Sequence, residues 1–150
     1  MKVQEFLELD DAKKSDFVAE KIMGWSLTTI PGIPGFGYVP DKKFIENNPE
    51  ILSEFVRDNH KGGYDYFLAI APHSFYIDTP ECMMMVIEKI TKKNTEDCGY
   101  SWIIEPSKNH CVARVIEYSK HSDNVYEYEH TSTPLAVAIA ACLALGVLEG

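Results

Sequence analysis

Two short stretches set hydroxyl and aromatic groups directly ahead of a helix start. In His73-Ser74-Phe75-Tyr76-Ile77-Asp78-Thr79-Pro80, the aromatics Phe75 and Tyr76 and the three hydroxyls of Ser74, Tyr76 and Thr79 precede a proline that fits the first helical turn. His130-Thr131-Ser132-Thr133 precedes Pro134 in the same way. The beginning of a helix offers unpaired N–H groups and a positive dipole end to an anion. The simpler reading of both stretches is helix capping plus core aromatics.

Of the 14 lysines and arginines, only Arg57 and Arg114 are arginines. Arg114 falls in a β-rich run in which His110, Val112 and Arg114 alternate onto one face. A guanidinium there takes either a carboxylate of the same chain or the oxygens of a phosphate, which its planar fork fits. Arg57, at the end of a helical pattern, either complements that helix's dipole or reaches a ligand. Trp25, Phe75 and Tyr76 add flat surfaces on which a base can stack. With Asp78, Thr79, His110, His130, Thr131 and Thr133 as polar contacts, these residues make up the expected ligand site.

Catalytic signatures are missing: there is no Walker-type glycine loop, no G-x-G-x-x-G, no G-x-S-x-G and no H-E-x-x-H. Asp78, Glu81, His110 and His130 are acid–base groups by type, but spacing sets none of them beside a nucleophile. Binding without catalysis is therefore the expectation. Cys82, Cys98, Cys111 and Cys142 contain no C-x-x-C pair, and the histidines lack the paired spacing of a metal site. Reduced thiols, no structural zinc and no cofactor are predicted.

A formal net charge of −9 supplies no basic stripe for polymeric nucleic acid, yet leaves room for a small phosphorylated ligand held by local groups. Met1-Lys2-Val3-Gln4-Glu5-Phe6 carries no basic-then-apolar secretion signal. The most apolar stretch, Leu135 to Leu148, is shorter than the roughly 20 residues of a membrane span. A cytosolic chain that does not enter a membrane is expected.

A frame must position these groups, and 150 residues of which 45% are hydrophobic suffice for one domain with a real core. Phe17, Val18 and Ile22 share a face of a helix predicted from Asp10 or Asp11 to Met23, with Gly24 as its left-handed stop and Trp25 turning into the core. Ser26 to Pro40, rich in proline and glycine, predicts turns around short extended pieces. A helix from Asn48-Pro49 to Gly62-Gly63 and a strand over Tyr64 to Ala71 follow. Thr79 caps a helix whose Met83, Val86, Ile87 and Ile90 hold helical spacing. Tyr100 to Glu105 and His110 to Tyr118 read as a hairpin around Pro106-Ser107-Lys108-Asn109, with a third strand near Val125 to Tyr128.

Thr133 caps the last helix, which runs to Gly146 and is apolar nearly all round, so it is expected to lie between the sheet and either other helices or a second subunit, and a homo-oligomer is predicted. The element order predicts an α+β fold, an antiparallel sheet with helices on it.

Phe17-Val18-Ala19-Glu20-Lys21-Ile22-Met23-Gly24-Trp25 resembles the V-A-x-K-[IV]-M-G-W opening of the phage α-β-α sandwich family. Thr133-Pro134-Leu135-Ala136-Val137-Ala138-Ile139-Ala140-Ala141 and Gly146-Val147 resemble that family's closing helix, and Phe75-Tyr76-Ile77-Asp78 resembles its aromatic-S-x-D segment, with Ile77 in place of a small polar residue. On this resemblance residues 1–150 form one sandwich domain, with an insertion at about 31–63. The family includes Thoeris anti-defence sponge proteins, which bind cyclic ADP-ribose isomers, and in some members cyclic oligonucleotides, without cleaving them. The resemblance implies a bacteriophage protein in the cytoplasm of the infected host, a homo-oligomer that sequesters a cyclic nucleotide immune signal. A nucleotide-degrading enzyme and an oligomer that binds a host protein are the alternatives.

Overall fold

The computed structural model describes residues 1–28, 37–39, 77–92 and 94–150. The chain divides into two compact units, Met1–Val18 with Tyr76–Gly150, and Ala19–Phe75. Arg57, the predicted helix at Asn48-Pro49, the strand over Tyr64 to Ala71 and nearly all of the expected insertion lie outside the described residues.

In the first unit, a short helix α1 (Val3–Leu7) precedes α2 (Asp11–Val18). The sequence pattern does not announce α1, whose five residues bury only Phe6. The Phe6 ring meets Phe17 at a centroid distance of 5.4 Å, tilted by 55°, a favourable edge-to-face type of contact. Asp10 starts α2 by accepting the Lys13 N–H at 2.8 Å. That hydrogen bond, together with the Lys13 ammonium, holds the Asp10 carboxyl below its ordinary value.

The second unit opens with one π-helical turn, Ala19–Met23, so the helix predicted without interruption to Met23 widens after Val18. Gly24 ends it at φ 71°, the left-handed stop expected, and the Trp25 N–H reaches back to the Ala19 carbonyl at 3.0 Å. Trp25 is buried. Two short strands, β1 (Ser26–Thr28) and β2 (Gly37–Val39), pair antiparallel within the proline- and glycine-rich stretch.

Returning to the first unit, Thr79 caps α3 (Pro80–Thr91), its hydroxyl accepting the Cys82 N–H at 3.3 Å. Cys82, Val86 and Ile90 form the buried stripe. Strands β3 (Gly99–Pro106), β4 (Cys111–Tyr118) and β5 (Asp123–His130) then build a sheet of order β3-β4-β5, antiparallel throughout. The third strand is longer at both ends than its sequence core suggests. On β4, Cys111, Ala113 and Val115 are buried while Val112, Arg114 and Ile116 between them are only half-buried, so one face turns to the helices and the other does not.

The closing helix α4 (Thr133–Ala144) packs on β4, β5 and α3. Ser132, not Thr133, is its N-cap residue, and Pro134 falls in its first turn, a one-residue shift typical of helix ends. Ala136 through Cys142 are all buried within the single chain. A second copy is thus not needed to cover this helix, and its all-round apolar character gives no argument for oligomerisation. Gly146 at φ 66° stops it, with Gly146 N–H bonded to the Leu143 carbonyl and Val147 N–H to the Cys142 carbonyl, the paired bonds of a Schellman stop. Among the described residues no helix is long and apolar enough to cross a membrane.

Ser15 is the buried polar link in this unit. Its hydroxyl donates to the Asp11 carbonyl at 2.8 Å and accepts the Ile77 N–H at 3.1 Å, tying α2 to the chain just ahead of α3. Ser15→Ala should cost about 1 to 3 kcal/mol in urea unfolding, because the Ile77 N–H is left buried without an acceptor. The depressed Asp10 carboxyl contributes stability that is present above its unfolded value and fades as the pH falls through the folded one. Asp10→Ala should therefore flatten the loss of stability on acidification below 3.8, the ordinary aspartate value, as read by melting curves across that range.

Candidate functional site

Arg114 projects from the middle of β4 on the face turned away from the helices. Its Nη1 donates to Glu105 Oε2 and its Nε to Glu127 Oε2, one carboxylate from each flanking strand. Register explains the clamp: Glu127 stands opposite Arg114 on β5, and Glu105 stands diagonal to it on β3. Two of the three guanidinium nitrogens that a phosphate fork draws on, Nη1 and Nε, are thus engaged by carboxylates of the chain itself. His110, on the same face, lies 3.4 Å from Glu129 through Nε2 and 3.0 Å from the Ser107 hydroxyl through Nδ1.

The other expected site residues do not join them. His130 Nδ1 accepts the Ser132 N–H at 2.9 Å and so shapes the turn into α4, with Thr131 exposed beside it and Thr133 as the first helical residue. Asp78 is exposed, and the Thr79 hydroxyl is engaged in capping α3. Trp25 belongs to the second unit. Phe75 and Tyr76, like Arg57, lie outside the described residues.

A different set of residues lines a half-open cleft of about 390 Å³ at the end of the sheet where β3 begins and β4 turns into β5. That size is at the lower end of ligand sites, about 300 to 1,000 Å³. Its walls include Asn94, Tyr100, Glu117, Tyr118 and Asn124. Asn94, just past α3, behaves like an added strand residue: its Oδ1 accepts the Tyr100 N–H at 2.8 Å and its Nδ2 donates to the Tyr100 carbonyl at 2.6 Å. The Tyr118 hydroxyl donates to the Thr95 carbonyl at 3.1 Å, and Ser119 and Ser122 close the far turn upon each other. Gly99 is required by close approach, since a Cβ there would sit 2.5 Å from Asn94 Cγ and 2.7 Å from the Tyr118 hydroxyl.

Glu117 is the one carboxylate among the described lining residues. Its Oε2 accepts from the Tyr126 hydroxyl at 3.1 Å and from Asn124 Nδ2 at 3.2 Å. The hydrogen bond to Glu117 holds the Tyr126 phenol above its ordinary value, and burial followed by the nearby Glu117 charge does the same for Tyr100. Among the described residues no lysine or arginine lines the cleft; Lys120, in the hairpin between β4 and β5, pairs with Asp97 at 3.1 Å. Among the described residues no three His, Cys, Asp or Glu side chains gather as a metal site.

Cys98 also lines the cleft and is exposed, whereas Cys82, Cys111 and Cys142 are buried. Burial pushes the Cys142 thiol up to about 12, and only the thiolate reacts. The cysteine spacing does not separate these environments.

Arg114→Ala should lower stability by about 1 kcal/mol in ligand-free melting curves, because cross-strand charge pairs are lost and two glutamates are left unopposed. A thiol reagent should modify Cys98 rapidly in the folded protein and the three buried thiols only after denaturation, with the labelled position read by peptide mass. Comparison with known proteins finds no matching family model, no matching curated protein and no matching solved structure.

Proposed function

We propose that the chain binds a small nucleotide signal and holds it intact, lowering its free concentration in the cytoplasm of an infected bacterium. The ligand on this reading is a cyclic ADP-ribose isomer or a cyclic oligonucleotide, as the resemblance to the phage α-β-α sandwich family implies. The observation that carries the reading is the cleft at the end of the sheet, in which aromatic rings stand beside hydrogen-bonding groups already fixed by their own neighbours. Fixed groups lose little freedom on binding, so the contacts convert efficiently into affinity. Tyr100 and Tyr118 offer rings for a base, and Asn94, Asn124 and Glu117 offer polar contacts for a base edge or a sugar. A sponge needs affinity and abundance, not turnover.

This cleft differs from the site expected from sequence in one chemical respect. With Glu117 in its wall and no lysine or arginine among its described lining residues, it suits the nucleoside part of the ligand better than the phosphate. Phosphates then remain toward solvent, where they keep their hydration.

The test is retention followed by release. The purified protein is incubated with cyclic ADP-ribose isomers and cyclic di- and trinucleotides, freed of unbound ligand, and heated. Recovery of intact ligand is the expected result; recovery of a linearised product assigns an enzyme, and no retention of any of them overturns the reading. Bound ligand should also slow alkylation of Cys98, which places it in the cleft. Self-association, which the family resemblance implies, is read separately by light scattering.

A further inference from the structure

The hydrogen bonds around Glu117 are lopsided. Both donors that reach its carboxylate, Tyr126 hydroxyl and Asn124 Nδ2, fall on Oε2. Among the described residues none donates to Oε1. An ionised carboxylate offers about four lone-pair sites on its two oxygens, so about half of the acceptor capacity of this lining residue meets no donor among the described residues. The carboxylate is also held in one orientation by two neighbours, as an acceptor must be if it is to select by geometry.

An O–H donor satisfies such a group. A phosphate carries the same charge as Glu117 and is repelled, and Arg114 is neutralised by Glu105 and Glu127. A ribose presents such a hydroxyl, and a carboxylate is the usual acceptor for the ribose 2′-hydroxyl in nucleotide sites. Tyr100, paired with Glu117 across β3 and β4 on the same face, stands where the attached base would stack.

We propose that Glu117 is the specificity-determining residue of the cleft, accepting the 2′-hydroxyl of a ribose through Oε1 so that the protein takes ribonucleosides and excludes deoxyribonucleosides. Tyr126 and Asn124 are positioning residues that hold the carboxylate for this contact. The assignment rests on the cleft being the nucleotide site. It predicts a loss of about ten- to a hundredfold in affinity when the hydroxyl or the charge is removed, the range for a hydrogen bond to an ionised partner.

Calorimetric titration of the full chain tests it with cyclic ADP-ribose, adenosine, and 2′,3′-dideoxyadenosine, which lacks the 2′- and 3′-hydroxyls. The expected result is that the wild type binds cyclic ADP-ribose and adenosine but binds dideoxyadenosine at least tenfold more weakly, and that Glu117→Gln erases the difference between the two nucleosides. The nucleoside comparison uses the wild type alone, so it stands even where the variant fails to fold. Equal binding of adenosine and dideoxyadenosine by a wild type that retains cyclic ADP-ribose overturns the Glu117 assignment and leaves the sponge reading in place. Binding of neither cyclic ADP-ribose nor adenosine overturns both. Tetramethylammonium binding that Glu117→Gln abolishes, without nucleoside binding, assigns the carboxylate and its tyrosines to an organic cation instead and likewise overturns the proposal.

Discussion

A helix with no charged side chain in its body has to be covered on every side, and α4 imposes that demand on the unit around it. Its alanines make the cover possible at short range, because Ala136, Ala138, Ala140 and Ala141 keep the helix surface low enough for close approach. Val137 and Ile139 supply the larger apolar volumes. Beneath lie Cys111, Ala113 and Val115 of β4, themselves fully or nearly fully buried. Such a contact tolerates neither a larger residue nor a void without cost, since interiors are close to crystal density. The glycine stop at Gly146 then bends the chain so that Glu149 pairs with both Met1 and Val3, tying the described C-terminal residues to the start of α1.

Giving one face of β4 to α4 decides what the other face can be. Alternation along the strand sends Arg114 away from the helix, and the antiparallel register brings Glu105 and Glu127 to it from the two neighbouring strands. In an acidic chain with few arginines, the local carboxylates reach this guanidinium first. The surface formed is mixed in character, with Ile103 and Val125 exposed alongside the charged clamp.

The end of the sheet is the other consequence. Where α4 and α3 no longer cover the strands, the inward register positions Tyr100, Glu117 and Asn124 open into a cleft instead of a core. Three devices keep that cleft in shape: Asn94 imitating a strand residue, Gly99 admitting Asn94 and Tyr118 at close range, and Ser119 folding the hairpin on Ser122. None of them is a ligand group by itself. They are the support that lets polar groups sit at fixed positions without a packed hydrophobic layer above them.

Local physics was enough to read the helix starts at Thr79-Pro80 and near Thr133-Pro134, the left-handed stop at Gly24, the hairpin through Pro106-Ser107-Lys108-Asn109 and the α+β class, because capping, proline geometry and periodicity act within a few residues. The same local view gave Arg114 two open choices, a carboxylate or a phosphate, since the identity of its partner depends on register between strands and not on its own neighbours in sequence. It also left open whether other helices or a second copy cover the apolar helix, and within one chain β4, β5 and α3 pack against it. The cleft residues escaped notice for a related reason: Asn94, Glu117 and Asn124 are unremarkable one at a time. Only the pairing of Glu117 with Tyr100 on one side and Asn124 on the other makes them neighbours, because a strand positions its side chains against those of another strand at a distance the sequence does not encode.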